Sequence, residues 1–164
     1  MTLKRFDRKY WPSLVLTLMC LTVSFLGRDV RDSMAVSYDS WHNVLLYHFA
    51  HANIFHLICN LMALWPFAPR IRTVIVAYAC SSFSALLLAF TVPGYGPVCG
   101  LSAMLFACFA RRYATWQKPT WQILLVNLPF LFIPQVDALL HLLSFYTSYL
   151  IWKAAATYSG KQPS

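Results

Sequence analysis

Uncharged apolar stretches follow one another along the chain with few interruptions. Stretches that lack Asp, Glu, Lys and Arg cover residues 10–27, 40–69, 73–110, 119–136 and 138–152. The third is long enough for two membrane spans, and "PGYGPVCG" in its second half predicts a loop between them. The pattern therefore predicts six helices, near residues 10–27, 49–68, 72–91, 100–115, 119–134 and 137–156.

The composition is that of a membrane protein. Hydrophobic residues make up 59% of the 164 positions and charged residues only 11%, whereas a soluble domain has roughly 25% charged residues. We expect an all-α, polytopic membrane protein with a single domain over residues 1–164. The basic N-terminus resembles a secretory signal, but its "TVSFLG" end lacks the small residues of a cleavage site.

The net charge of +8 is unevenly distributed. If the N-terminus is cytoplasmic, the inner segments carry 11 Lys and Arg against one Asp, or +10, and the outer segments two Arg against four Asp, or −2. This positive-inside pattern predicts that both termini are cytoplasmic, and it removes the reason to infer a nucleic-acid partner. The basic "ARRY" and "RIR" segments also suit contact with anionic lipid. The compact chain and its charge bias suggest a bacterial inner membrane.

The five cysteines are odd in number and form no CxxC or CxH pattern. We expect the cysteines to be small packing residues, and we expect no disulfide framework, metal site or cofactor.

Ser102 is predicted to lie deep in the membrane. It precedes the inner residue Arg111 by nine positions, or ~14 Å at 1.5 Å per residue, about half of a ~30 Å hydrocarbon core. The irregular "TVPGYGPVCG" must then enter from the outer side, which a bilayer tolerates only where the backbone is buried in protein or lines a cavity. The sequence thus predicts a cavity in front of Ser102.

Three other polar residues share that depth. Asn60, His56 and His141 precede inner charges by ten, fourteen and twelve positions, or about 15, 21 and 18 Å. Spacings of three, four or seven residues place His56 and Asn60 on one helix face, and His141 with Asp137 on another.

These residue types suit acyl transfer. A serine hydroxyl becomes a nucleophile when a histidine base removes its proton, which are the roles expected of Ser102 and His141. Attack on an amide generates an oxyanion, for which His56 and Asn60 could supply side-chain donors, together with backbone N–H groups at the start of the fourth span.

Three segments, "HANIFHLICNLMALW", "CGLSAMLFA" and "DALLHLLSFYTS", resemble the signature blocks of rhomboid intramembrane serine proteases. The resemblance implies a six-helix bundle whose active site opens to the extracytoplasmic side and which cleaves membrane-protein substrates in or near their transmembrane segments. Residue by residue, it implies Ser102 as nucleophile, His141 as general base, and His56 with Asn60 as the oxyanion-stabilising pair. His51 corresponds to a histidine that shapes the first outer loop, and Phe106 to an aromatic residue beside the catalytic histidine.

The chain departs from the rhomboid pattern where that family often has glycine. Ala103 follows the serine, and Ser144 and Ser148 occupy the sixth span. Small residues still permit close helix packing. The departures motivate an alternative, a catalytically inactive rhomboid-like protein that binds membrane helices. A small transporter is a third hypothesis, but no internal repeat supports it.

Several residues have a plainer interpretation. An isolated His56 would suit a hydrogen-bonded interior histidine, and Asp137 suits a helix N-cap better than a third catalytic residue because "PQVDALL" is a typical helix start. Pro129 should kink the fifth span. In rhomboids substrate is thought to enter beside this helix, so the kink could belong to a static helix or to a gate.

Overall fold

The protein is built from α-helices. A computed structural model describes residues 8–67, 69–116, 118–132 and 137–158. These segments contain seven α-helices: α1 Trp11–Phe25, α2 Arg28–Ser33, α3 Ile54–Phe67, α4 Ile71–Thr91, α5 Ser102–Trp116, α6 Trp121–Asn127 and α7 Ala138–Tyr158. They hold no β-strand, only an isolated bridge between Val36 and Val98. The predicted all-α class is confirmed.

Within the described segments, α4 is the one helix that is both long and apolar enough to cross a membrane. It has 21 residues, or ~31 Å, which matches a ~30 Å hydrocarbon core. α7 has the same length, but His141, Ser144 and Lys153 make it more polar. Apolar helices of 10–17 residues cover Trp11–Phe25, Ile54–Pro66 and Trp121–Phe132. The other five predicted spans therefore stay predictions.

The helices α4, α5 and α7 form the centre of the bundle. α4 is antiparallel to α5, because Ala85 packs near Ala103 at one end and Thr73 accepts a hydrogen bond from Arg111 at the other. α7 runs parallel to α5, and the Ser148 hydroxyl donates to the Ala107 carbonyl at 2.8 Å.

Small side chains line the contact between α5 and α7. Ala103 and Ala107 on α5 are 1% and 0% exposed, and Ser144 and Ser148 on α7 are both fully buried. The close approach that alanine and serine were expected to permit is therefore present.

The second predicted helix starts later than expected. The sequence predicted a start near residue 49, but α3 begins at Ile54, where the Asn53 side chain accepts a hydrogen bond from the His56 N–H at 2.9 Å, as an N-cap does. Tyr47, Phe49 and Ala50 are buried in irregular chain before the helix. An apolar run does not distinguish such a buried loop from a helix, and this explains the error.

Residues 92–101 form an irregular segment that leads into α5, as predicted. Two backbone contacts tie it to the loop that precedes α3. Val36 and Val98 exchange two hydrogen bonds of 3.0 Å, and the Gly100 N–H donates to the Tyr47 carbonyl at 2.9 Å. The position of Ser102 is therefore set by the first loop as well as by its own helix.

The fifth predicted helix is interrupted where Pro129 was expected to disturb it. α6 ends at Asn127, and a 3-10 turn covers Leu128–Phe132. The change begins one residue before Pro129, as expected when proline removes a backbone donor and crowds the preceding turn. The predicted end of this helix at residue 134 lies outside the described residues. α2 was not predicted, because its polar "RDVRDS" sequence has no apolar periodicity.

Candidate active site

Ser102 is the first residue of α5 and lines an open space in the bundle. Gly100, two residues earlier, has φ +128°, a backbone conformation that residues with a Cβ rarely adopt. This glycine allows the irregular segment to turn sharply into the helix. Because Ser102 is the first helical residue, the N–H groups of Ser102, Ala103 and Met104 have no carbonyl partner within α5. The first bond of this helix runs from the Leu105 N–H to the Leu101 carbonyl.

His141 approaches Ser102 from the neighbouring helix. It lies in the first turn of α7, is only 3% exposed, and its Nε2 is 2.8 Å from Ser102 Oγ. In the neutral tautomer with its proton on Nδ1, the imidazole accepts the serine proton at Nε2. The structure thus brings together the two residues that the depth estimate placed at one level.

Two aromatic rings hold the His141 imidazole. Phe106 stacks on it, with ring centroids 4.5 Å apart and planes 9° apart. Phe130, in the 3-10 turn after α6, meets it edge-on at 5.7 Å. The imidazole is therefore confined on one face and at one edge, so rotation away from Ser102 would break both contacts.

Asp137 acts on the backbone of α7. Its Oδ1 accepts a hydrogen bond of 2.8 Å from the Leu140 N–H, which is the geometry of an N-cap. Nδ1 of His141 has no hydrogen-bond partner among the described residues. The Asp137 carboxylate therefore does not orient the imidazole in the way that the third member of a catalytic triad does.

His56 also lines this space and lies against Gly100. A Cβ added to Gly100 would come within 2.5 Å of His56 Cε1 and 3.0 Å of its Nε2. Because Gly100 has no Cβ, the His56 imidazole fits against the segment that leads to Ser102.

His51 links the loop before α3 to the start of α5. Its Nδ1 is 3.2 Å from the Phe49 carbonyl, and its Nε2 accepts a hydrogen bond of 3.4 Å from the Leu101 N–H. Because Nε2 accepts this hydrogen bond, the ring is the neutral tautomer with its proton on Nδ1, which donates to the Phe49 carbonyl.

Asn60 follows His56 by one helical turn and is 5% exposed. Its Nδ2 has no hydrogen-bond partner within the described segments. Unlike His56, it does not line the cavity itself. The structure therefore brings three of the four predicted residues to the cavity wall, and Asn60 is not among the lining residues.

The cavity has a volume of about 560 Å³. Ser102, His141 and His56 line it together with Gly96–Gly100 of the irregular segment. The predicted cavity in front of Ser102 is therefore present.

Three aromatic residues of the cavity were not expected from the sequence. Tyr47, Tyr95 and Phe130 all line it. Aromatic residues make up 16% of the chain, so nothing in the spacing of these three distinguishes them from the residues that pack the helices.

A protein-family model described as the Rhomboid domain matches residues 38–157. The chain belongs to the rhomboid family. The match covers α3 to α6 and all but the last residue of α7, and family membership makes this rhomboid a membrane protein. No curated protein gives a significant match to the chain.

The rhomboid family includes intramembrane serine proteases. In this rhomboid, a serine hydroxyl and an imidazole lie within hydrogen-bond distance beside a cavity. Such an arrangement can carry out nucleophilic attack on a carbonyl with general-base assistance.

Proposed function

We propose that this rhomboid is an intramembrane serine endopeptidase that hydrolyses peptide bonds in or near transmembrane segments of other membrane proteins. The observation that carries the proposal is the 2.8 Å separation of Ser102 Oγ and His141 Nε2 at the wall of the cavity. The mechanism uses these two residues as a dyad, and it uses no metal or organic cofactor.

The first step is attack by Ser102. Its Oγ bonds to the carbonyl carbon of the scissile peptide while its proton moves to Nε2 of His141. The tetrahedral intermediate then collapses, the C–N bond breaks, and the imidazolium returns that proton to the departing amine. The product of this half-reaction is an ester between Ser102 and the N-terminal part of the substrate.

The oxyanion of the intermediate needs donors placed in advance. We assign this role to the His56 side chain, to Asn60 and to the backbone N–H groups at the start of α5. Support comes from the position of His56 at the cavity wall and from the unsatisfied Nδ2 of Asn60 within the described segments. Because Asn60 does not line the cavity, its side chain would have to move to reach the oxyanion, for example when substrate binds.

The ester is then hydrolysed by water. His141 takes a proton from the water as it attacks the acyl carbon, and the proton passes to Ser102 Oγ as the ester bond breaks. Water would enter through the same cavity, from the side of the bundle where the irregular segment 92–101 lies. The serine and the neutral histidine are thereby restored.

The proposed topology has six spans, with both termini in the cytoplasm and the cavity open to the extracytoplasmic side. The positive charge of the segments assigned to the cytoplasm supports this topology. A helix of 15 residues such as α5 is ~22 Å long, so the irregular segment before it would occupy the rest of the membrane depth. We place the protein in a bacterial inner membrane.

Substrates of this site would present an extended segment. A helical backbone keeps its carbonyls in hydrogen bonds, so a helix must open locally before Ser102 reaches a carbonyl carbon. We therefore expect cleavage in transmembrane segments that contain helix-destabilising residues such as Gly and Pro.

The alternative is an inactive member of the family that binds membrane helices. It is favoured by Asn60, which does not line the cavity, and by Ala103, Ser144 and Ser148, which stand where the family often has glycine. The close Ser102–His141 pair argues against it, because a binding protein has no need of an aligned nucleophile and base.

A fluorophosphonate probe tests the proposed nucleophile. Purified wild type, Ser102→Ala, His141→Ala and the control Ser84→Ala, another buried helical serine, would be labelled in detergent and examined by intact mass. We expect labelling of the wild type and the control and none of the two dyad variants. An unlabelled, folded wild type, or labelling that persists in Ser102→Ala, would sink the proposal.

A further inference from the structure

The end of the bundle remote from Ser102 is strongly basic. Arg70 and Arg72 precede or begin α4, Arg111 and Arg112 lie near the end of α5, and Lys153 lies near the end of α7. The four aspartates of the described segments all lie elsewhere, on α2, in the loop near the end of α4, and at the start of α7. Within the described segments, the acidic residues therefore lie away from this basic end.

Three of these arginines line one pocket. Its volume is about 230 Å³, and its wall includes Arg70, Arg111, Arg112 and Thr73. Arg70 lies close enough to Arg111 for their charges to repel each other. Bringing three guanidinium groups around one space costs electrostatic free energy, which an anion in that space would offset.

Arg111 is held in a fixed orientation. One of its Nη atoms donates to Thr73 Oγ1 at 2.7 Å, and its guanidinium carbon lies 5.0 Å from the centroid of the Trp152 ring. Thr73 is 3% exposed. Since a guanidinium has five N–H donors, these contacts orient Arg111 and leave further donors for an anion in the pocket.

An apolar groove begins at the same arginine, Arg70, that lines the pocket. It lies between α1 and α4, has a volume of about 710 Å³, and is lined by Trp11, Val15, Leu16, Ile71 and Val74. Arg8 and Arg70 are its only charged lining residues among those the structure describes. Arg70 therefore belongs to both spaces, and a molecule with an anionic head and an apolar tail would fit across them.

The start of α4 adds to this charge. No side chain caps it at Arg70, and the N-terminus of a long helix carries a partial positive charge that favours anions.

We propose that this site binds one anionic phospholipid, with the phosphate among Arg70, Arg111 and Arg112 and an acyl chain in the groove between α1 and α4. The apolar groove favours a lipid over a free anion, because a free phosphate would leave it unused. The fixed Arg111 distinguishes the site from diffuse attraction of basic residues to an anionic membrane surface. The lipid would tie α1 to the α4–α5 pair.

Native mass spectrometry of the full-length protein tests the site. Dioleoylphosphatidylglycerol and dioleoylphosphatidylcholine would be titrated into protein in a neutral detergent. We expect one phosphatidylglycerol to be retained in preference to phosphatidylcholine, with retention weakened about tenfold or more by Arg70→Gln and by Arg111→Gln. The matched control is Lys118→Gln, which removes a charge that lies over Trp116 outside the pocket.

Two further arms distinguish a bound lipid from a free anion and from diffuse charge attraction. Val15→Trp should fill the groove and weaken phosphatidylglycerol retention while the protein stays monodisperse and folded. Glycerol 3-phosphate, the head group without chains, should not compete. Equal losses in Lys118→Gln and Arg70→Gln would indicate diffuse attraction, and tight binding of glycerol 3-phosphate would indicate a free-anion site; either result overturns the proposal. If Arg111→Gln does not fold, phosphatidylglycerol retention by Arg70→Gln is the deciding measurement, because Arg70 is exposed.

Discussion

The imidazole of His141 lies parallel to the phenyl ring of Phe106, with centroids 4.5 Å apart. Phe106 follows Ser102 by four residues, so one face of α5 carries both the hydroxyl that bonds Nε2 and the ring that supports the imidazole plane. The geometry of the Ser102–His141 pair therefore depends on a residue that has no reactive group of its own.

Replacing Phe106 by Leu should misalign the proposed dyad. We expect kcat/KM to fall by about 10- to 100-fold, mainly through kcat, because a small displacement of a catalytic group is costly. Steady-state kinetics would be compared with Phe83→Leu, which alters an exposed phenylalanine of α4. Unchanged kcat in Phe106→Leu would show that stacking does not position the base.

Two substitutions of Asp137 distinguish a helix-capping role from a catalytic role. Asparagine caps helices about as well as aspartate, so Asp137→Asn should keep activity within about threefold, while Asp137→Ala should lose about 1 kcal/mol of stability. Activity and thermal unfolding of both variants provide the measurement. Loss of cleavage by well-folded Asp137→Asn would mean that the carboxylate assists His141.

Gly100→Ala should displace His56. The added Cβ would meet the imidazole at 2.5 Å, and φ +128° is strained for alanine, which costs about 1–3 kcal/mol. We expect a lower Tm and a loss of activity of about 100-fold or more. Gly96→Ala is the control, because its Cβ would meet nothing within 4 Å. Equal behaviour of the two variants would contradict the close approach.

Asn60→Ala should impair the chemistry and leave the fold intact. Its Nδ2 makes no hydrogen bond within the described segments, so the substitution removes no hydrogen bond of that atom among these residues. Loss of an oxyanion donor, by contrast, lowers kcat by about 10²- to 10³-fold. Asn43→Ala provides the contrast.

Asn43 Nδ2 donates to the Ser33 and Ala35 carbonyls at 2.6 and 3.0 Å. Its removal should cost about 1–3 kcal/mol of stability. If Asn60→Ala instead lowers Tm and leaves kcat unchanged, Asn60 is a packing residue.

Polar residues were the informative part of this sequence. In an apolar chain, a hydroxyl or imidazole far from the span ends indicates depth, and this pattern predicted that Ser102 and His141 lie at one level. The three segments that contain these polar residues also resemble the rhomboid signature blocks. The match to the Rhomboid domain confirms that family assignment.

Apolar residues were less informative. Phe49 and Ala50 are buried in a loop, yet their hydropathy suits a helix equally well, so the start of α3 was predicted wrongly. Phe130 touches His141 across the bundle, a contact that depends on tertiary packing and leaves no local pattern. Asn60 shared its helix face with His56, but face and depth do not say which side chain reaches the cavity.

The most direct test of the proposed activity is cleavage of a substrate by purified protein. A single-span reporter with Gly and Pro in its transmembrane segment would be reconstituted in liposomes with wild type, Ser102→Ala or His141→Ala, and the fragments would be mapped by mass spectrometry. The proposed activity requires one cut within or beside the span for the wild type and none for either variant. Binding of intact reporter by folded wild type without cleavage of it or of other single-span substrates, or equal cleavage by Ser102→Ala, would contradict it.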